Sequence, residues 1–140
     1  MTTEIRAVVG ELEAAMRAGD ATAVVALYAA DAVRYDLAPP LRHTGEEVHD
    51  AAGLQSWFDG FGGSVGYEVH DLAVTAGDGV AFAYSLNKMY DPSPEGRFEL
   101  WFRATYCLVR DGERWLLAHE HTSTPFYMDG SFAAALDLQP

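Results

Sequence analysis

The chain predicts an α+β domain, helices first and an antiparallel sheet after them, on three observations. Apolar residues recur at helical spacing as far as Phe61, alternate one by one from Tyr67 onward, and the second region is cut by three short turn signals. Those signals are Ala76-Gly77-Asp78-Gly79, Asp91-Pro92-Ser93-Pro94-Glu95-Gly96 and Asp111-Gly112. Helices followed by consecutive hairpins place an antiparallel meander against a helical layer.

Each element has its own warrant. Ile5, Val8, Val9, Leu12, Ala15 and Met16 fall on one helical face, and Gly19 followed by Asp20 supplies a stop and then a fresh N-cap. A second helix is expected from about Ala21 to Ala29, with Val24, Leu27 and Tyr28 on one face. Ala32-Val33-Arg34-Tyr35-Asp36 reads as a short strand that Pro39-Pro40 ends. Leu54, Trp57, Phe58 and Phe61 predict a third helix over Asp50 to Phe61, despite Gly53 and Gly60. Four long strands follow: Tyr67 to Thr75, Val80 to Tyr90, Phe98 to Arg110 and Arg114 to Ser123. No repeat or linker divides the chain, so residues 1–140 form one domain.

Composition narrows the function classes. With 140 residues, 49% of them apolar, the chain can bury a proper core. Nine basic against 21 acidic residues give a net charge of −12, which argues against nucleic acid or an anionic membrane surface as partner. No apolar run reaches the roughly 20 residues of a membrane span, and the N-terminus lacks the order of a signal peptide, so a cytoplasmic location is expected. The single cysteine, Cys107, excludes an internal disulfide and a cysteine-based zinc site, and its neighbours read as strand core. Eight arginines against one lysine suggest a GC-rich bacterial source.

The chemistry concentrates in Trp115-Leu116-Leu117-Ala118-His119-Glu120-His121-Thr122-Ser123, an apolar strand interrupted by titratable groups. Buried ionisable groups need partners or shifted pKa values, so three in succession point to a cavity wall. Strand alternation puts His119, His121 and Ser123 on one face and Ala118, Glu120 and Thr122 on the other. Trp101, Arg103 and Thr105 share a face of the preceding strand, and Ser85 and Asn87 one of the strand before that.

Ala18-Gly19-Asp20, Ala26-Leu27-Tyr28-Ala29-Ala30-Asp31-Ala32, Gly112-Glu113-Arg114-Trp115 and His119-Glu120-His121-Thr122-Ser123, in this order, resemble the SnoaL-like and ketosteroid-isomerase-like superfamily. The resemblance spans essentially the whole chain and is nearest to the branch with a C-terminal His-Glu-His-x-Ser-x-Pro-Phe pattern, here His119 to Phe126. It implies the cone of nuclear transport factor 2, a long curved sheet wrapped around three helices with a pocket inside. The superfamily's functions include isomerases, cyclases, dehydratases, epoxide hydrolases and binding or assembly domains. Asp36 falls where steroid isomerases place the carboxylate that abstracts a proton beside a carbonyl. The positions of their oxyanion donors fall on Leu12 and near Thr105, which argues against authentic steroid isomerisation.

The resulting expectation is acid–base chemistry without a cofactor on a small enolisable or anionic molecule: isomerisation, cyclisation or dehydration. Asp36, His119 and His121 are the candidate catalytic residues, and Asn87, Trp101, Arg103, Thr105 and Tyr127 the candidate substrate-binding ones. Arg103 would orient a carboxylate or polarise an enolate oxygen. Two further readings stand beside this one. Arg103 can pair with Glu99 or Glu120 in a purely structural network. His119-x-His121 can share a metal with Asp36, His43 or His70, although no third ligand has a diagnostic position and no metal is assigned. The non-enzymatic alternative is a ligand-binding or assembly module. Its expected homodimer interface is the outer sheet face, with Phe98, Leu100, Phe102, Tyr106 and Leu108.

Overall fold

The computed structural model describes residues 1–140. Helix α1 (Thr2–Ala18) ends where Gly19 adopts φ 64°, its N–H and that of Asp20 closing back on the carbonyls of Met16 and Ala15. Two constraints select glycine there. The left-handed backbone is one, and the other is the Gly63 carbonyl oxygen, 1.9 Å from where a Cβ would sit. The Asp20 side chain then caps the short α2 (Ala21–Val25) by accepting from the Ala23 N–H.

Helix α2 stops four residues before the expected Ala29. The Leu27 carbonyl accepts from the Leu117 N–H at 2.8 Å, and strand β1 (Tyr28–Tyr35) runs parallel to the last strand from Tyr28 onward. Inter-strand pairing thus overrides the weak helical preference of Ala-Leu-Tyr-Ala-Ala. The two-residue β2 (His43–Thr44) pairs with β1, Arg34 opposite His43, and a 3₁₀ turn over Gly45–Glu47 leads towards α3 (Ala51–Asp59). Asp50 caps α3 through the Gly53 N–H, so this helix is shorter than the expected Asp50 to Phe61.

The meander forms as expected: β3 (Gly66–Ala76), β4 (Val80–Tyr90), β5 (Glu99–Asp111) and β6 (Arg114–Ser123) pair antiparallel in series. The six-stranded order is β2-β1-β6-β5-β4-β3, which places β6 inside the sheet. Register breaks at His70/Ala73, Cys107/Leu108 and Tyr28/Val33 bend the sheet around the helices.

The core lies between α1 and the concave face. Ile5, Val9 and Leu12 meet Ala81, Ala83 and Ala104, whose small side chains admit the helix, together with Tyr106, Leu108 and Leu117. Each large apolar side chain buried there contributes about 2 kcal/mol. Trp115 Nε1 donates to Glu4 and the Val69 N–H to Glu13, tying α1 to β6 and to the edge strand β3.

This arrangement inverts one expectation. Phe98, Leu100, Phe102, Tyr106 and Leu108 share a face, but it is the concave one: all but Phe98 and Leu100 are buried, and those two line the internal cavity. They are unavailable as an outer dimer interface. Cys107 is half-buried on the convex face rather than in the core.

Candidate active site

The space between the concave face and the helices is a cavity of about 700 Å³. Its walls are mostly apolar, with Leu12 and Met16 from α1, Leu54 and Trp57 from α3, and Met89 and Phe102 from the sheet. Polar side chains gather at one end: Tyr28, Arg34 and Asp36 from β1 and its end, Glu120 and Thr122 from β6, and His43 and Glu47 from β2 and the following turn. An apolar chamber with a few convergent polar groups is the usual form of a small-molecule site.

Strand pairing builds the polar end. Parallel pairing sets Arg34 beside Glu120, while Asp36, two residues on, faces the same way. The Arg34 guanidinium donates to Asp36 Oδ2 at 2.8 Å and lies 4.0 Å from Glu120 Oε1, between two carboxyl groups. Tyr28 donates to Glu120 Oε2 at 2.7 Å. Asp36 Oδ1 accepts from the Leu37 N–H at 2.8 Å and from the Thr122 hydroxyl at 3.4 Å, which leaves its carboxylate oriented and partly open to the cavity.

Burial divides the two acids. Desolvation raises the pKa of Glu120 above its ordinary value, with Arg34 and the Tyr28 hydrogen bond opposing it. Burial also works against the Arg34 charge, but Tyr28, Glu120 and Asp36 outweigh it and hold the guanidinium protonated. The Tyr28 hydroxyl is raised well above its ordinary value by burial and then by the charge of Glu120.

Beneath this end lies a buried polar network. Asn87 is fully enclosed, donating to the hydroxyls of Tyr67 at 3.2 Å and Tyr106 at 2.9 Å and accepting from Ser85 Oγ at 2.7 Å. Burial, with Glu120 next, pushes the Tyr106 hydroxyl up to about 12.

The site residues expected from sequence separate into two groups. Asp36 lines the cavity, and Asn87 supports Tyr67, which lines it too. His119, His121, Arg103, Thr105 and Trp101 lie on the convex face instead. His119 Nδ1–H donates to the Val33 carbonyl at 2.7 Å, and Tyr35 packs edge-on against both imidazoles. Arg103 is exposed and donates to Ser123 Oγ, pairing with neither Glu99 nor Glu120. Trp101 packs on His70, and Tyr127 is exposed, its hydroxyl bonded to Asp137.

For the histidines the cause is a single residue. Leu108 pairs with Leu117 but Cys107 pairs with His119, so Ala118 is an extra residue in β6. Trp115 and Leu117 point inward before this bulge; after it Glu120 and Thr122 do, and the histidines are turned out. Alternation correctly joined His119 with His121 and with Thr105 opposite, but their common face is the outer one. Arg103 and Asn87 are parted without any bulge: the unbroken β4–β5 register sets Leu86 opposite Arg103 and Phe102 opposite Asn87, so the two side chains take opposite faces.

The set His119, His121 with Asp36 or His43 is therefore split across the sheet, and the chain holds no group of three or more His, Cys, Asp or Glu arranged to hold a metal ion. Sequence reasoning missed Tyr28, Arg34, His43, Glu47, Glu120 and Thr122. The available signal was Arg34-x-Asp36, a cation and a carboxylate on one face of a strand entering a Pro-rich loop.

Comparisons with known proteins agree with this architecture. An NTF2-like protein of unknown function from Pseudomonas putida KT2440 is 29% identical, with 99% of this chain and 95% of that chain covered at a TM-score of 0.86. An NTF2-like protein with a cystatin-like fold from Novosphingobium aromaticivorans is 18% identical, covering 99% of this chain and 89% of that one at a TM-score of 0.73. A protein from Streptomyces avermitilis provisionally named a dehydratase of the NTF2-like family is 15% identical, covering 86% and 93% at a TM-score of 0.72. No curated protein gives a significant match. The SnoaL-like domain matches residues 5–127, nearly the whole of the cone and its cavity, and the chain belongs to that family.

Proposed function

We propose that the chain catalyses proton transfer on a small, mostly apolar, enolisable molecule held in the cone, in an isomerisation, cyclisation or dehydration. The observation that carries this reading is Arg34 set between Asp36 and Glu120 at the polar end of an otherwise apolar cavity. Two carboxyl groups in unlike surroundings can divide base and acid roles. Asp36, ion-paired and open to the cavity, takes a proton from carbon. Glu120, whose pKa burial raises, can return one to oxygen or to a leaving hydroxyl. Arg34 keeps the two apart and adds positive charge where an enolate oxygen would develop. These side chains suffice for the proton steps without a cofactor. The provisional dehydratase name of the Streptomyces neighbour agrees with such chemistry.

Deuterium exchange into β-tetralone, an apolar enolisable ketone, tests the reading by NMR. Exchange faster than in buffer, lost in Asp36→Asn and reduced by at least tenfold in Glu120→Gln, is expected. Exchange that survives Asp36→Asn refutes the role of that base, and ligand binding without exchange favours a plain binding module.

A second reading concerns assembly. Val80, Phe82 and Tyr84 are about half exposed or more on the convex face. Phe82 and Tyr84 begin two rows that cross four strands, Phe82–Cys107–His119–Val33 and Tyr84–Thr105–His121–Tyr35. We propose that a second copy covers this face, replacing the interface expected from sequence. Sedimentation should show a dimer at tens of micromolar that Tyr84→Glu converts to monomer; a monomeric parent defeats the proposal.

A further inference from the structure

Two nitrogen atoms at the polar end have no partner. Arg34 Nε and His43 Nε2 are both buried and unbonded, and both residues line the cavity. The two residues are paired across β1 and β2, where side chains on one face stand about 5 Å apart at Cβ. Buried polar atoms without partners are uncommon and costly, so two on paired residues of one cavity wall imply a ligand group that satisfies both.

The chemistry of that group follows from the two atoms. Arg34 Nε carries a hydrogen and can only donate. His43 Nδ1 lies 3.3 Å from Glu47 Oε2; we assign the ring hydrogen to Nδ1, on the side of that carboxylate, which makes Nε2 an acceptor. A hydroxyl answers both at once, its oxygen accepting from Arg34 and its hydrogen donating to His43. A ketone satisfies Arg34 alone. A carboxylate meets the wrong surroundings, since Asp36, Glu47, Asp50 and Glu120 all line the same cavity and Arg34 is already engaged by Asp36.

We propose that Arg34 Nε and His43 Nε2 form a two-point subsite for the neutral hydroxyl of an apolar ligand, an enol or a phenol, and that the cavity prefers this group to a carboxylate. The subsite rests on the reading of the cavity as a place where enols form, because an enol carries the required donor and acceptor and its ketone does not.

Titration calorimetry with β-naphthol, β-naphthoate and β-methylnaphthalene tests it. The wild type should bind β-naphthol at least tenfold more tightly than either of the others. In His43→Leu the preference over β-methylnaphthalene should fall to less than threefold, while β-methylnaphthalene itself binds as before and shows the cavity intact. Should His43→Leu fail to fold, Glu47→Gln is read in its place. That side chain is more than half exposed, and its loss should weaken β-naphthol severalfold and leave β-methylnaphthalene unchanged. Equal binding of naphthol and methylnaphthalene by the wild type, tighter binding of naphthoate, or a naphthol preference that survives these substitutions overturns the subsite. The outcome is separable from catalysis: tetralone exchange lost with the naphthol preference intact removes the first reading only, and the converse removes only the subsite.

Discussion

The two faces of β6 carry titratable groups at adjacent positions and treat them in opposite ways. Glu120 points into the cone, buried, bonded to Tyr28 and beside Arg34. His119 and His121 point outward, where Tyr35 packs against them and His121 is exposed. On β6 the carboxyl group faces inward and the imidazoles outward. The comparison teaches that residue type marks a strand as unusual, whereas the side of the sheet decides which residues can reach a ligand.

Substitutions that break the concave side should have the largest effects. Asn87→Leu removes the donor shared by Tyr67 and Tyr106 and the acceptor of Ser85, at a fully buried position. A loss of about 2–4 kcal/mol is expected, lowering Tm by roughly 10 °C. On the convex side, Thr105→Val should stay within about 0.5 kcal/mol. Urea denaturation of the pair measures the contrast, and equal losses would show that the two faces are not energetically distinct.

The pH dependence sharpens the same comparison. Glu120 binds its proton more tightly folded than unfolded, so its contribution is fully present below its ordinary pKa of 4.5 and is lost as pH rises through the higher folded value. Glu120→Gln lacks this titration. Relative to wild type, the variant should gain stability as pH rises from 4.5 towards neutrality, and a pH-independent difference would remove Glu120 as the buried acid.

The smallest effects are expected outside. His121→Gln should change stability by no more than about 0.5 kcal/mol, and His119→Gln, which disturbs the contact with the Val33 carbonyl, by about 1 kcal/mol. Both should bind β-methylnaphthalene with unchanged affinity in calorimetry. Weakened binding in His121→Gln would return the histidines to the site.

Much of the molecule follows from local signals. Helical period, the Gly19-Asp20 junction and the Gly/Asp turns determine the order of elements, and β4 and β6 keep their expected limits of Val80–Tyr90 and Arg114–Ser123. Alternation also determines which residues are companions: His119 with His121, Ser85 with Asn87, Phe102 with Tyr106. Asp36 is placed at the cavity through its position in the chain and the resemblance that position carries.

Tertiary structure alone decides which companions face inward. Alternation has two solutions related by inversion, and one extra residue switches between them; Ala118 does so within β6, after Leu117 and before Glu120. No local preference of Leu-Ala-His announces this bulge, because it arises where β6 must pair with β5 on one side and β1 on the other. The same long-range pairing turns Tyr28 from helix into strand and sets Arg34 beside both Glu120 and His43, residues 86 and 9 positions away in the chain. The sequence thus determines the fold and one acid of the candidate site. The remaining polar groups are assembled only when the strands find their register, since backbone hydrogen bonds between distant segments select the face each side chain presents.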